Sequence, residues 1–246
     1  MRNKMAIVKN VVKLRTAYDA LAARDPGIPG MGLVHGFTGS GKTTAIAWLV
    51  NQINGIFVRA TATWTPSAML GSIMKELGAA PLHRGSAAMV NHIVAQLPMS
   101  ASSLFVDEAD YLFSNLKMLD TLRDIHDLTG CPVILIGMEG IERRLTHRLQ
   151  LARRISQWVE FLPLDVEDAR ILADTLCEVD IQGDLLERVH QETSGSIGLM
   201  VVGMSRIEAL AKANGWKVID NDLWADRRLF LSAPPSKVVQ FPKARK

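Results

Sequence analysis

The chain has 246 residues, of which 48% are hydrophobic and 22% are charged, and its formal net charge is +3. This composition predicts a globular protein with one large domain, or one domain and a smaller one, and excludes a disordered chain. The mildly basic charge permits a nucleic-acid partner but does not indicate one. No run of about 18 apolar residues exists, and the N-terminus does not fit a signal peptide, so we expect a cytoplasmic protein without a membrane partner.

Strand and helix patterns alternate over the first two-thirds of the chain. A helix is predicted at residues 10–23, and strands at the apolar runs GMGLVH, GIFVRA, SSLFVDE, CPVILIGM and ISQWVEFLPL. The segments between the strands have helical periodicity, as in TAIAWLVNQI and LKMLDTLRDIHDLTG. This alternation predicts an α/β fold, a three-layer arrangement with a parallel sheet between helices.

After Pro163 the strand patterns stop and only helical patterns follow. The first of them begins at Asp165, which we expect to cap it, and the last is DNDLWADRRLFL. We therefore predict an ATPase subdomain with an N-terminal helix at residues 1–163, an all-helical lid subdomain at residues 164–231 and a basic, disordered tail at residues 232–246.

The segment GFTGSGKTT carries the strongest chemical signal, because it fits G-x-x-x-x-G-K-[ST] between a predicted strand and a predicted helix. Such a loop turns backbone N–H groups toward phosphate oxygens at a helix N-terminus. Lys42 adds a positive charge for the β- and γ-phosphates, and the Thr43 hydroxyl is expected to bind Mg²⁺. The predicted ATP-binding residues are Gly36, Phe37, Thr38, Gly39, Ser40, Gly41, Lys42, Thr43 and Thr44.

Two acidic residues, Asp107 and Glu108, follow the apolar run of the third predicted strand. In open α/β folds, ligands bind where the carboxyl ends of parallel strands meet. We expect Asp107 to hold Mg²⁺ through water, and Glu108 to act as the general base that polarises the attacking water.

The letters VDEAD also occur in DEAD-box helicases, but a helicase of that kind needs two RecA-like sheets. This chain has one P-loop sheet followed by helices, so Ala109 and Asp110 are assigned no helicase role. One P-loop sheet, an Asp-Glu pair, clustered arginines and a helical lid together resemble the AAA+ ATPases.

Within the AAA+ ATPases, the stretch Leu119–Leu145 resembles the DNA-transposition ATPases, the B protein of Mu-like phages (MuB) and the TnsC proteins. This resemblance implies a bacterial protein that forms ATP-dependent helical filaments on double-stranded target DNA without sequence specificity and delivers that DNA to a transposase. Two alternatives stay open: a helicase loader or replication initiator of similar build, and a regulatory ATPase switch that binds only protein.

The AAA+ resemblance also implies an arginine finger that reaches the γ-phosphate bound by a neighbouring subunit, here Arg153 or Arg154. AAA+ proteins usually carry a polar sensor-1 residue at the end of the fourth predicted strand. Here that position falls at Gly137-Met138, which lack polar side chains, so either Glu139 takes the role or sensing of the nucleotide is weak. The expected position of the sensor-2 arginine holds Gly198, so that arginine is either missing or replaced by Arg206. These gaps predict slow hydrolysis, below about 1 s⁻¹, with ATP acting as an assembly switch.

Candidate DNA contacts are basic or aromatic residues on the elements after the second and third strands, because phosphate contacts need Lys or Arg. They are Arg59, Trp64, Lys75, Arg84 and Lys117. The basic tail, with Lys237, Lys243, Arg245 and Lys246, is a further candidate for contacts with DNA or with the transposase.

Overall fold

The computed structural model describes residues 1–79, 85–100 and 103–230. The chain divides into two compact units, Ile7–Pro163 and a second unit that combines Met1–Ala6 with the residues from Leu164 onward. In the described ranges, no helix is long and apolar enough to cross a membrane.

Five parallel strands form the sheet of the first unit, in the order β2-β3-β4-β1-β5. They are β1 (Met31–Gly36), β2 (Ile56–Arg59), β3 (Leu104–Asp107), β4 (Val133–Ile136) and β5 (Ile155–Phe161). Every residue of β1, β3 and β4 is buried, which requires helices on both faces of the sheet. The predicted α/β fold with a parallel sheet is confirmed.

Helices cover this sheet on both faces. The helices of the unit are α1 (Lys9–Ala22), α2 (Lys42–Ile53), α3 (Pro66–Glu76), α4 (Ser86–Gln96), α5 (Leu116–Thr129), α6 (Ile141–Thr146) and α7 (Leu149–Ala152). One face buries Leu33, Val106 and Leu135 in a common core with apolar residues of α3, α4 and α5. On the other face, Tyr18 of α1 stacks on Phe105, with 6.1 Å between the ring centres.

A buried asparagine attaches α1 to the end of β5. The Asn10 side chain is 4% exposed; its Nδ2 donates to the carbonyl of Leu162 at 2.8 Å, and its Oδ1 accepts from the Leu162 N–H at 3.3 Å. The two bonds satisfy both backbone groups of a residue that has left the sheet. Because β5 lies next to β1, this attachment supports the edge of the sheet beside the Gly-rich loop.

The second unit is built mainly from helices, which are α8 (Val166–Leu176), α9 (Gly183–Thr193), α10 (Ile197–Ala213) and α11 (Asn221–Trp224). Asp165 caps α8 as expected, because its side chain accepts from the Asp168 N–H at 2.9 Å. The first six residues join this unit through Arg2, whose N–H donates to the carbonyl of Leu176 at 2.6 Å.

The structure corrects two expectations for this region. The unit is not all-helical, because β6 (Asp180–Ile181) pairs in parallel with β7 (Val218–Ile219). Two-residue strands are too short to show an alternating pattern in the sequence. The last helix, predicted from DNDLWADRRLFL, ends at Trp224 because Ala225 takes a left-handed φ of 53°. The predicted tail at residues 232–246 lies outside the described residues.

We expect Asn10→Ala to lower the free energy of unfolding by about 1–3 kcal/mol, because it removes two hydrogen bonds of a buried side chain, each of which contributes about 0.5–1.5 kcal/mol. Urea unfolding followed by circular dichroism measures the change. The control is Asn214→Ala at the end of α10, where the side chain makes one exposed bond to Leu210 and a change within about 0.5 kcal/mol is expected. Equal effects of the two substitutions would contradict the role given to Asn10.

Candidate active site

The Gly-rich loop leaves β1 at Gly36 and enters α2 at Lys42, as its motif predicts. Gly36 has a φ of 150°, and a Cβ there would lie 2.5 Å from the carbonyl oxygen of Phe161, so only glycine fits against β5. Gly41, with a φ of 85°, turns the chain into α2 without a side-chain cap, so the first N–H groups of the helix are available to an anion.

The Lys42 ammonium is held inside the loop. Its Nζ donates to the carbonyls of Gly36 and Phe37, both at 2.8 Å, and to Ser40 Oγ at 3.3 Å. Burial lowers the pKa of Lys42 from its ordinary value, while the negative charges of nearby carboxylates act in the opposite direction. The carboxylates that face it are Asp107, Glu108 and Asp110.

The Thr43 hydroxyl and the Asp107 carboxylate meet across the edge of the sheet. Thr43 Oγ1 donates to Asp107 Oδ2 at 3.1 Å, although 64 residues separate them in the chain. A hydroxyl beside a carboxylate is the oxygen pair that P-loop proteins use for Mg²⁺, so these two residues fit the metal. When bound, Mg²⁺ supplies positive charge that neutralises the phosphate oxygens.

Glu108 is held in an uncommon conformation beside Asp107. Its φ is 53°, in the left-handed region that non-glycine residues seldom adopt, and its N–H donates to Asp107 Oδ1 at 2.9 Å. Its Oε1 accepts from Arg59 Nη2, also at 2.9 Å. The proposed general base is therefore paired with an arginine at the end of the neighbouring strand β2.

The two candidate finger arginines lie at the opposite edge of the sheet from the Gly-rich loop. They directly precede β5, whose Ile155 pairs with Met31 at the start of β1. Arg154 is bound by Asp127, with contacts of 2.9 and 3.1 Å, and this guanidinium holds the pKa of Asp127 below its ordinary value. Arg153 is exposed and has no ion-pair partner in the described part of the chain.

A cavity of about 730 Å³ is lined by both arginines. Arg24, Asp127 and the loop from Asp25 to Pro29 form its other walls. It lies at the amino-terminal edge of the sheet, where three guanidinium groups share one opening.

The candidate DNA contacts fall into three environments. Lys75 and Lys117 are exposed, and the described residues offer neither of them an ion-pair partner. Arg59 is exposed but paired with Glu108, and Trp64 is partly buried against the hydrophobic core. Arg84 and the four basic residues of the tail lie outside the described residues.

The sensor positions differ from the arrangement implied by the resemblance. Glu139 is exposed, whereas the carboxylate of Asp110 reaches the backbone N–H of Met138 at 2.7 Å. Sequence reasoning assigned Asp110 no role; the signal that could have found it is its position two residues after Glu108. In the second unit, Arg206 donates to the carbonyl of Leu229 at 2.8 Å.

Comparisons with known proteins relate the chain to a protein family and to a fold. Residues 28–145 match the family model described as an AAA domain. No curated protein is significantly similar to the chain. This segment of the chain is therefore similar to AAA domains, and the family model does not support the narrower resemblance to the transposition ATPases.

Solved structures with this fold include ORC and Cdc6 proteins of archaea. ORC2 of Aeropyrum pernix, with ADPNP and ADP, has a TM-score of 0.67 and 16% identity over 91% of this chain and 68% of that one. Cdc6p of Pyrobaculum aerophilum has a TM-score of 0.62 and 18% identity over 86% and 63%, respectively. ORC1 of Aeropyrum pernix in complex with DNA has a TM-score of 0.60 and 14% identity over 85% and 61%. The fold is that of AAA+ P-loop ATPases. The chain matches about two-thirds of the length of each of these three structures.

We expect Lys42→Ala to weaken ATP binding roughly 10- to 100-fold, because a hydrogen bond to a charged group contributes about 1.5–3 kcal/mol. Titration of a fluorescent ATP analogue measures the dissociation constant. Lys13→Ala on the exposed face of α1 is the matched control and should bind ATP like the wild type. Unchanged affinity in Lys42→Ala would show that the loop does not hold the triphosphate.

Proposed function

We propose that the chain is a Mg²⁺-dependent ATPase that assembles with further copies of itself on double-stranded DNA and hydrolyses ATP between adjacent copies. The observation that carries this proposal is the position of Arg153, exposed and unpaired among the described residues, at the sheet edge opposite to the Gly-rich loop.

The separation of the two groups follows from the register of the sheet. Ile155, which follows the arginines, pairs with Met31 at the start of β1, and Phe161 pairs with Gly36 at its end. The full length of β1 therefore separates the arginines from the Gly-rich loop. Five steps of about 3.3 Å place these two edges about 17 Å apart. Arg153 is therefore too far away to serve the nucleotide of its own chain, whereas a second copy docked against the cavity would bring its γ-phosphate to this arginine.

The chain's own residues would share the chemistry as follows. Lys42 and the first N–H groups of α2 bind the phosphates, and Thr43 and Asp107 supply the oxygens for Mg²⁺. Glu108 accepts the proton of the water that attacks the γ-phosphorus, as the bond to the ADP oxygen breaks. Arg153 of the adjacent copy stabilises the charge that develops on the transferred phosphoryl group.

Arg59 offers a physical route by which DNA binding would change the rate of ATP hydrolysis. Its ion pair with Glu108, at 2.9 Å, occupies the carboxylate oxygen Oε1 of the proposed base. Arg59 is also exposed enough for a phosphate of the DNA backbone to compete for its guanidinium. A phosphate that takes Arg59 would leave Glu108 free to act as base, so DNA binding and hydrolysis would be coupled through one arginine.

More specifically, we propose that the chain delivers target DNA to a transposase. The ground for this assignment is the likeness of Leu119–Leu145 to the transposition ATPases. The likeness in fold to the archaeal initiators favours a second candidate, a loader or initiator of replication. Electron microscopy with ATP, Mg²⁺ and random-sequence duplex tests the choice. Helical filaments along the duplex support target delivery, closed rings support the loader, and no DNA association at low salt leaves a protein-binding switch.

We expect Arg153→Ala to lose most of its ATPase rate while it binds ATP with normal affinity. Glu108→Gln should also be inactive, because its amide is no longer a base. Mixed in equal amounts, the two variants should recover part of the wild-type rate, since some contacts then combine an intact Glu108 with an intact Arg153. A steady-state phosphate-release assay measures the recovery.

Two controls accompany the mixture. Each variant alone, at the same total protein concentration, should stay inactive. Arg154→Ala should retain more activity than Arg153→Ala, because Arg154 is already bound by Asp127. If the mixture shows no recovery although both variants co-assemble, the finger does not act between copies.

For the coupling through Arg59, we expect Arg59→Ala to hydrolyse ATP faster than the wild type without DNA, by roughly 2- to 10-fold for about 0.4–1.4 kcal/mol. Duplex DNA should stimulate the wild type and have little further effect on the variant. Arg15→Ala, which breaks an exposed ion pair with Asp19 on α1, is the matched control. Equal stimulation of the wild type and Arg59→Ala by DNA would contradict the coupling.

A further inference from the structure

Asp110 links two segments of the first unit at the edge of the sheet. It lies in a short 3-10 helix, Ala109–Ser114, which begins directly after Glu108. Its Oδ2 accepts from the backbone N–H of Met138 at 2.7 Å, and Met138 belongs to the loop that leaves β4. The Asp110 carboxylate therefore ties the segment that carries the candidate base to the end of the adjacent strand.

The approach of Asp110 depends on the glycine that precedes Met138. A Cβ on Gly137 would lie 2.4 Å from Ile141 Cδ1 and 2.8 Å from Asp110 Oδ2. The absence of a side chain at this position therefore leaves the space that the carboxylate uses. A polar group is therefore present at the end of β4, but it is the Asp110 carboxylate, from the 3-10 helix that follows the neighbouring strand β3.

The second oxygen of Asp110 faces a cation. Asp110 Oδ1 lies 3.6 Å from Arg144 Nη1 on α6, and the Arg144 guanidinium lies over the ring of Phe113 at 3.9 Å. Phe113 belongs to the same 3-10 helix as Asp110. The helix is thus attached to the region after β4 both by a hydrogen bond and by a cation–π contact. The charge of Asp110 also acts on Lys42, whose pKa it raises against the effect of burial.

The backbone of Glu108 is fixed from both sides. On one side Asp107 accepts from the Glu108 N–H and is itself bound by Thr43. On the other side, Asp110 is held by Met138. A left-handed conformation of a non-glycine residue persists only where its surroundings hold it, and these two attachments lie on either side of Glu108.

We propose that Asp110 is a positioning residue for hydrolysis, which holds Glu108 in its left-handed conformation by accepting the hydrogen bond from Met138. The proposal rests on the proposed ATPase function and adds to it a residue that acts on the orientation of the base, not on the binding of nucleotide. The hydrogen bond carries the effect, and the ion pair with Arg144 is secondary because its atoms are farther apart.

The test compares three substitutions by steady-state kinetics and by binding of a fluorescent ATP analogue. Asp110→Ala should lower kcat roughly tenfold with less than about a twofold change in ATP affinity, the effect of one lost hydrogen bond. Asp110→Asn keeps an oxygen that accepts from Met138 and should stay within about threefold of the wild type. Gly137→Ala should resemble Asp110→Ala, because its Cβ displaces the carboxylate.

A matched control and a second readout separate this role from a general loss of structure. Asp120→Ala removes an exposed carboxylate that pairs with Arg123 on α5 and should change neither kcat nor affinity. Hydrogen exchange followed by mass spectrometry should show faster exchange of the Met138 N–H in Asp110→Ala, with unchanged exchange in α5.

The proposal is overturned if Asp110→Asn is as slow as Asp110→Ala, which would make the charge the active feature. It is also overturned if Asp110→Ala loses ATP affinity as much as kcat, or if exchange at Met138 does not change. A wild-type protein without ATPase activity would refute the proposed function. The exchange experiment needs no catalysis, so it would still test the Asp110–Met138 hydrogen bond in that case.

Discussion

The parallel register of β3, β4 and β1 is the constraint on which the candidate nucleotide site depends. Leu33 pairs with Leu135, and Leu135 pairs with Val106, so the three strands end at the same edge of the sheet. This alignment allows Thr43, on the helix after β1, to contact Asp107 at the end of β3, although β4 lies between the two strands. A slip of one residue in β3 would turn Asp107 to the other face and break that contact.

Much of the fold and the Gly-rich loop could be predicted from the sequence because their signals are local. A strand buried on both faces needs an unbroken apolar run, and VILI of β4 or LFV of β3 cannot satisfy an exposed face. The loop needs glycine where the backbone turns, and Gly36 and Gly41 have the positive φ values that the motif implies. Asp107 was found because an acid that ends a buried strand must lie at the sheet edge.

The contacts of Arg59 and Asp110 around Glu108 could not be predicted, because they depend on the order of the strands. Arg59 and Glu108 are 49 residues apart and meet only because β2 lies beside β3. The position of Asp110 two residues after Glu108 indicates that it lies near the site, but its partner is a backbone N–H beside Gly137, which the sequence does not reveal. In the second unit, β6 and β7 are two residues each, too short for any periodic pattern.

Taken together, the contacts support the proposal that the candidate base is oriented within its own chain and that a second copy completes the site. Glu108, Lys42 and Thr43 lie at one edge of the sheet, while Arg153 lies at the other. The most direct test is the ATPase rate per chain, measured at saturating ATP and Mg²⁺ over a wide range of protein concentration. A site completed by a second copy predicts a rate per chain that rises with concentration and then levels off. A rate per chain that stays constant down to concentrations at which the protein sediments as a monomer would contradict this account.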